Sequence, residues 1–511
     1  MSDQESAGSG GVVTVQLESE DFSSDGLQIA KMDGLERLNG LFDFKLDVTL
    51  VAGPGLSLDI RASIDPMVGA AAKLVFRHAE QVVREVHGII AEVDEGVDIR
   101  ANKANESAAF QLRLVPRAFA LSLVEIHEVF VGKTIPEIIE EKLSRAGLTA
   151  PDDLEWRLSG NYPTREFVVQ YKETDLAFIT RLAEHYGLTF FFEHEDGADK
   201  LVFVDNQSGF PAIGTFALAS GAGHEVIKNL HSKKRVVAAT RGVSDYNPVN
   251  PPVDLRQQVD VPGGFGGGIV ELLTKYKSPE QGNQLAGIRA EQSEAHRVLL
   301  RGESGAAALR AGGVLTVSDA PSLEDPTILV GSVRHGIVQQ AGLLGTNTAE
   351  AYANRFEGTR GATQYRPLFE TPVPRVHGVV TAFIEEFQQT GRYAVLDERG
   401  RYWVRFDFDS GDHPDKHSLP IRMMQAHAGS FYGVHLPLKP GTEVMVAFLD
   451  GDLDRPVIVG AVPNELTQSP VNQSNFQINK LLKTETGIVI EARDVWEPED
   501  NNGIQQKPGG P

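Results

Sequence analysis

Cysteine is absent from the 511 residues. Disulfides, thiol catalysis and cysteine-ligated zinc are therefore excluded. Basic charge is short: 48 Lys and Arg stand against 70 Asp and Glu, a net charge of −22. A protein that binds phosphates needs a basic face, so this balance disfavours nucleic acid as the main partner. It suits a chain that must avoid nonspecific sticking. No apolar run approaches the roughly 18 residues that span a bilayer. The start, MSDQESAGSGG, has neither a basic region nor an apolar core, so it does not read as a secretion signal. Residues 1–11 read as a disordered lead. The chain is expected to stay in the cytoplasm until another machine exports it.

What is present fits a multidomain globular protein. Hydrophobic content is 41 %, and the length suggests three or four domains. Residues 12–125 alternate apolar and polar positions, as in 41–48, 73–76 and 86–93, with Gly, Pro and Asp turns between. That predicts a first barrel or sandwich. Residues 126–205 change character. Thr134 caps a predicted helix with Pro136 and Glu137 in its first turn, a stripe of Ile135, Ile138, Ile139 and Leu143, and a stop at Gly147. A second helix is expected from Thr174-Asp175 to Gly187, then a hairpin through Glu195-Asp196-Gly197. Residues 206–371 return to strands and suggest a second barrel, with a helix beginning near Ala286. The run Gly263 to Gly268 reads as a flexible loop, because no Lys-Ser/Thr follows to make a phosphate cradle. Prolines bracket a linker at 372–375.

Residues 376–464 hold about five short strands, which fits an OB-type barrel. In 402–408, Tyr402, Val404, Phe406 and Phe408 face one way. Trp403, Arg405 and Asp407 face the other. The focus is 436–464. Val444, Val446 and Phe448 form one face of a strand, and Met445, Ala447 and Leu449 make its other face apolar too. A strand apolar on both faces is expected to be covered on both. A turn follows over Asp450-Gly451-Asp452-Leu453-Asp454, and Arg455-Pro456 opens the next strand.

The run Gly441-Thr442-Glu443-Val444 followed by Gly451-Asp452-Leu453-Asp454-Arg455-Pro456 resembles the signature of VgrG-type spike proteins of contractile injection machines. The family usually has Pro where this chain has Leu453. The block from Arg165 to Asp175 with its following hairpin is a second strong resemblance. Leu38-Asn39-Gly40-Leu41-Phe42, the strand ending at Pro116, Asp245-Tyr246-Asn247, Ala286 to Glu291 and Tyr365-Arg366-Pro367 are similar at lower specificity. The resemblance covers about 35–493.

It implies a mainly β protein with a smaller α/β part: tandem hub barrels (12–125 and 206–371) flanking an α/β subdomain (126–205), an OB-fold neck (376–464) and a short C-terminal trimeric β-prism (465–493). Residues 494–511 read as a loose polar tail. In the prism, Ile478, Leu482, Ile488 and Ile490 have no partner in their own chain, and three copies winding round one axis would supply one. The core and turn of the OB barrel are assigned to Val444, Val446, Phe448, Gly451, Asp452, Asp454, Arg455 and Pro456. The function implied is structural: a homotrimeric spike and baseplate hub that adapts a sixfold tail tube to a threefold tip and is driven through a target membrane when a sheath contracts. The partners implied are tube and hub proteins above, a PAAR-type tip protein below, and baseplate wedge proteins. Assembly is expected in the bacterial cytoplasm, followed by incorporation into an injection particle. Because the sequence stops soon after the prism, an extracellular phage-tail-like particle is favoured over a type VI secretion spike.

No catalytic, cofactor or metal residue is assigned. His127-Glu128 and His224-Glu225 begin like a zinc-protease motif, but positions 131 and 228 are Val and Lys. Gly302 to Ala306 misses a nucleophile elbow by its last Gly. Asp450, Asp452 and Asp454 have calcium-loop spacing, yet Arg455 and Ala461 stand where that loop needs Gly and Glu. His413, His417, His427 and His435 cluster in the barrel and read as surface or packing histidines. The competing class is an enzyme or binding module: a spike fold hydrolysing cell wall, or an OB-type adaptor for glycan or nucleic acid with Trp403 and Arg405 outward.

Overall fold

The computed structural model describes residues 13–51, 65–78, 80–95, 107–195, 197–219, 226–339, 350–385, 393–411, 420–474 and 478–493. The expected disordered lead and tail, His224 and Glu225, His413 and His417, and residues 475–477 of the expected prism lie outside these. So does the side chain of Ile478. Two compact units form. One holds the described residues up to Ile126, Gly132–Arg165 and Gln170–Val373. The other holds His127–Val131, Glu166–Val169 and the described residues from Pro374 onward. Among the described residues no helix is long and apolar enough to cross a membrane.

The first unit begins with β1 (Val13–Glu18), β2 (Leu27–Arg37), β3 (Asp43–Val51), β4 (Ala71–His78), β5 (Gln81–Glu95) and β6 (Ser107–Val115). An α/β segment follows in the chain: β7 (Glu128–Phe130) and Val168 and Val169 of β9 (Val168–Gln170) count with the second unit, whereas α1 (Ile135–Arg145), β8 (Leu154–Arg157), α2 (Asp175–Tyr186), β10 (Thr189–Glu195) and β11 (Ala198–Val204) count with the first. Then come β12 (Ala212–Leu218) and β13 (Val226–Lys234), a second insert of β14 (Ala238–Ser244), β15 (Arg256–Asp260), β16 (Gly266–Leu272) and α3 (Pro279–Ala295), and finally β17 (Val298–Ser304), β18 (Val314–Ser318), β19 (Thr327–Val338) and β20 (Glu350–Arg360).

Twelve of these strands make one sheet, in the order β1-β4-β5-β6-β3-β2-β19-β18-β12-β13-β17-β20. Strand β20 also pairs with β19, which closes the last six into a barrel. The two six-stranded halves therefore share a seam at β19, whose Ile328, Leu329, Val330 and Val333 are wholly buried. Alternation drives the first half: Phe44, Leu46 and Val48 of β3 point inward and are at most 1 % exposed. Its ends, β1 and β2, are joined by a side chain. The Gln339 carboxamide accepts from Val15 N at 3.0 Å and donates to the carbonyls of Val15 (3.0 Å) and Ile29 (2.9 Å).

The helices of the α/β segment follow their caps. Thr134 accepts from Glu137 N while Glu137 reaches back to Thr134 N, a full capping box on α1. Thr174 caps α2, and Gly187 ends it in the left-handed region at φ 71°. Helix α3 begins at Pro279, seven positions before the expected start. Its first turns are polar and carry no apolar stripe, so periodicity does not reveal them; Ser278 caps it by accepting from Gln281 N. The glycine run is not a loop throughout. Gly266 to Gly268 belong to β16, parallel to β14, and a Cβ on Gly268 would meet Thr240 Oγ1 at 2.5 Å. The close approach requires glycine.

The second unit is built on a five-stranded sheet, β22-β21-β26-β27-β23. Its strands are β21 (Val379–Ile384), β22 (Val404–Phe406), β23 (Arg422–Met423), β26 (Glu443–Phe448) and β27 (Pro456–Ala461). Between them β24 (Ala428–Gly429) and β25 (Tyr432–Gly433) form a small hairpin. Residues 393–396 make no strand, only a bridge from Leu396 to Tyr402. The core gathers Ala382, Ile384, Tyr402, Val404, Phe406, Ile421, Val444, Val446 and Ile458, each at most 2 % exposed. A two-stranded ribbon, β28 (Ile478–Lys483) and β29 (Val489–Arg493), ends the described chain.

Candidate functional site

The signature turn after β26 is held by a dense backbone network. Asp450 and Gly451 both take positive φ, 53° and 72°. Asp452 N donates to Leu449 O at 3.0 Å and Arg455 N to Asp452 O at 2.9 Å. Leu449 N donates to Arg455 O, and Val376 N to Gly451 O, each at 3.0 Å. Leu453, where the family usually has Pro, is 3 % exposed and so packs as a core residue.

The three turn carboxylates have different partners. Asp450 takes Arg375 Nη1 at 2.8 Å. Asp452 accepts from Asp454 N at 3.1 Å and lies 3.4 Å from Arg455 Nε. Asp454 accepts from Val169 N at 3.1 Å. They do not converge on one point, and among the described residues no three His, Asp or Glu side chains are grouped to hold a metal. Asp454 ties the Glu166–Val169 segment to the barrel inside the second unit. Phe167 packs on Phe406 with ring centroids 6.1 Å apart, and Ser410 N and Oγ both reach His127 O at 2.9 Å.

On the inward face of β26, Val444 and Val446 are 0 % and Phe448 is 7 % exposed. Among the described residues the outward face is not fully covered: Met445 and Ala447 are half-buried, and Leu449 is 42 % exposed. In the ribbon, Leu482 is half-buried and pairs opposite Ile490, while Ile488 and Ile490 are exposed. Leu481 (72 %) and Val489 (44 %) are exposed as well, two apolar positions that sequence reasoning missed. Of the barrel histidines, His427 lies against Tyr432 and His435 against Tyr402.

Two further features were invisible in the sequence. A buried ionic cluster spans the seam between the sheet halves. Glu36 on β2 meets Arg84 Nη2 of β5 at 2.7 Å and His335 Nε2 of β19 at 2.8 Å. His335 Nδ1 lies 2.6 Å from the Tyr352 hydroxyl on β20. Burial alone would raise the Glu36 carboxyl, but Arg84 and His335 more than offset it and hold it well below the usual carboxylate range. Burial pushes His335 down and Tyr352 up. Every charge in the cluster faces an opposite partner, which is how a protein interior tolerates charge. The second feature is a cavity of about 310 Å³ lined by Tyr162, Arg165, Asp205, Lys275, Tyr276, Glu291 and Arg366, among others. Three of its charged groups have partners within the unit. Asp205 accepts from Ser159 N, Gly160 N and the Tyr162 hydroxyl, and Arg366 pairs with Glu291 at 2.7 Å.

Comparison with known proteins agrees with this geometry. Residues 35–341 match the family described as phage tail baseplate hub (GPD), and residues 393–462 match the type VI secretion system/phage-baseplate injector OB domain. The chain is 28 % identical over 454 residues to the Pseudomonas aeruginosa type VI secretion system spike protein VgrG1c, covering 86 % of this chain and 60 % of that one. It is 29 % identical over 447 residues to the Vibrio cholerae actin cross-linking toxin VgrG1, covering 83 % of this chain and 39 % of the toxin. The chain thus spans three fifths or less of the length of these relatives. Its fold is similar to that of the E. coli c3393 protein, a type VI secretion component, with a TM-score of 0.64, 22 % identity and coverage of 88 % and 100 %. It is also similar to a chain of a PdpA–VgrG complex, with a TM-score of 0.57, 8 % identity and coverage of 93 % and 90 %. From the match over 35–341, the chain belongs to the phage tail baseplate hub family, and it carries the OB domain of type VI secretion and phage-baseplate injectors after the hub.

Proposed function

We propose that this chain is the homotrimeric spike and hub of a type VI secretion machine, and that it acts mechanically and not as an enzyme. VgrG1c is a type VI secretion system spike protein and c3393 a component of such a system, which favours this reading over the extracellular particle expected from the sequence. The observation that carries the proposal is the doubled sheet. Each chain presents two six-stranded halves side by side through β19. Three copies then place six similar β units in a ring, which seats on a sixfold tube while the molecule keeps threefold symmetry below. The OB barrels make the neck. The apolar residues of the ribbon, Ile478, Leu482, Ile488 and Ile490 among them, meet their equivalents in a β-prism. A PAAR-type protein caps the tip, tube and wedge proteins bind the hub, and sheath contraction supplies the force.

Electron microscopy of the purified full chain tests this. Class averages should show a particle with a threefold axis and a ring of six density lobes at one end. Monomeric particles, or a ring without sixfold modulation, would count against it.

A further inference from the structure

The barrel of the second unit carries an apolar projection that no described residue covers. From Met423 to Leu438 there is no Asp, Glu, Lys or Arg, in a chain that is 23 % charged. Residues 426–437 are all exposed. Phe431 at the hairpin tip is fully exposed (107 %), Tyr432 is 62 % and Met424 59 % exposed, and Val434 and Leu436 are also open to solvent. Such a patch on a folded surface marks an interaction site.

The hairpin has a defined shape. Phe431 is held at φ 62°, a conformation a bulky residue adopts only when its surroundings enforce it. A Cβ on Gly429 would strike the Tyr432 ring at 2.2 Å, and one on Gly433 would strike His427 O at 2.4 Å. His427 O also accepts from Val434 N at 2.9 Å. At the hairpin base, Leu438 N donates to the Tyr402 hydroxyl at 3.0 Å, and His435 stacks on the Tyr402 ring. The tip is a preformed aromatic knob, and preorganisation lowers the entropy cost of docking.

The same unit has an uncovered apolar face. Val379 on β21, Ala447 on β26 and Val457 on β27 lie directly opposite one another across three strands, so they share one face. Met445 lies on that face too. Val379 is 53 % exposed and the others are half-buried.

Charge selects the occupant. Chains of net charge −22 repel one another unless they meet where neither is charged. The 423–438 stretch and the Val379–Ala447–Val457 strip both meet that condition. We propose that the Phe431 hairpin of one protomer docks on this strip of a second copy of the chain, head to tail, so that three contacts close a ring at the neck. This rests on the trimer reading above and adds where the copies lock.

The absence of cysteine provides the test. The full chain carrying Phe431→Cys and Val379→Cys is treated with a short bis-maleimide after its mass in solution is measured. Both positions are exposed, so the single protomer should fold normally. The expected result is a trimer that yields covalent dimers and trimers on a denaturing gel, with neither single variant cross-linking. In the Phe431→Cys trimer, the thiol should react with a bulky maleimide about tenfold more slowly than in denatured protein, as for a buried anchor. A trimer with no covalent product, cross-linking by Phe431→Cys alone, or an unprotected thiol would overturn the docking and leave the trimer reading intact. A monomeric native chain would overturn both. If the paired variant fails to assemble, Phe431→Asp decides: a folded monomer supports the knob, and an unweakened trimer rejects it.

Discussion

Val169 and Asp454 meet across 285 residues of sequence: the Val169 backbone N–H donates to the Asp454 carboxylate at 3.1 Å. One residue lies in the Arg165 to Asp175 block, the other in the barrel turn. Within the second unit, the Glu166–Val169 part of that block and the barrel turn are thus tied together. A charge-assisted bond of this kind contributes about 1.5–3 kcal/mol when buried and less when half-exposed. Asp454→Ala should speed hydrogen exchange at Val169 while exchange in the barrel core, at Val444 and Val446, stays slow. Unchanged protection at Val169 would show that this bond does not hold the segment.

Leu453 gives a second prediction. At 3 % exposure it is a core residue, whereas the sequence alone suggested a minor variation on a turn. Leu453→Ala should destabilise the second unit by about 2–5 kcal/mol, as large-to-small core changes do. Chemical denaturation of the full chain, followed by a probe at Trp403, would measure it. A change below about 0.5 kcal/mol would mean that the turn tolerates any residue there.

Gln339 closes the first half of the hub sheet through three bonds to Val15 and Ile29. Gln339→Leu removes all of them and leaves the strand edges facing an apolar group. At about 1 kcal/mol net per bond, the cost should be about 2–3 kcal/mol. The effect should concentrate in faster exchange along Val13–Glu18, not along β19. Uniform loosening of the whole sheet would contradict the local closure described here.

Acid sensitivity follows from the buried histidines. Burial, reinforced by the nearby Arg84 charge, lowers His194 from its usual 6.5 to about 3. His185, His296 and His335 are lowered in the same direction, chiefly by burial. These groups stay neutral in the folded chain and take up protons on unfolding, so the unfolded state binds more protons below pH 6.5. Stability must therefore fall as pH drops from 6.5, by about 1.4 kcal/mol per pH unit for each such group. Glu36 adds to this later. Its folded pKa is depressed, so its contribution is full above the usual 4.5 and is lost only as pH falls through the lower folded value. Urea denaturation at pH 7, 6 and 5 should show the loss before carboxylates titrate, and His194→Asn should reduce the slope. A flat profile from pH 7 to 5 would contradict it.

Local signals were the legible part of this sequence. Thr134, Thr174 and Gly187 announced two helices because capping chemistry is carried by single residues. Val444, Val446 and Phe448 announced a strand because alternation is a short-range pattern. Helix α3 began unseen because its first turns are polar and the largest side chain it buries, Arg289 (1 % exposed), is a cation set against Glu271. The shared seam at β19 and the Glu36–Arg84–His335 cluster were hidden for a different reason. They depend on which strands become neighbours, and strand pairing across hundreds of residues leaves no mark in a single segment. The exposed aromatic hairpin was written plainly in 423–438, as a stretch without charge, but it had no meaning until the barrel showed that no described residue covers it.

The most direct test of the trimeric spike is the mass of the full chain in solution, measured by light scattering beside a chain cut after Asn464. The account predicts three chain masses for the full chain at micromolar concentration, and weaker assembly once the ribbon is removed, with the neck contact still favouring association. A full-length chain that stays monomeric across that range would contradict the central claim.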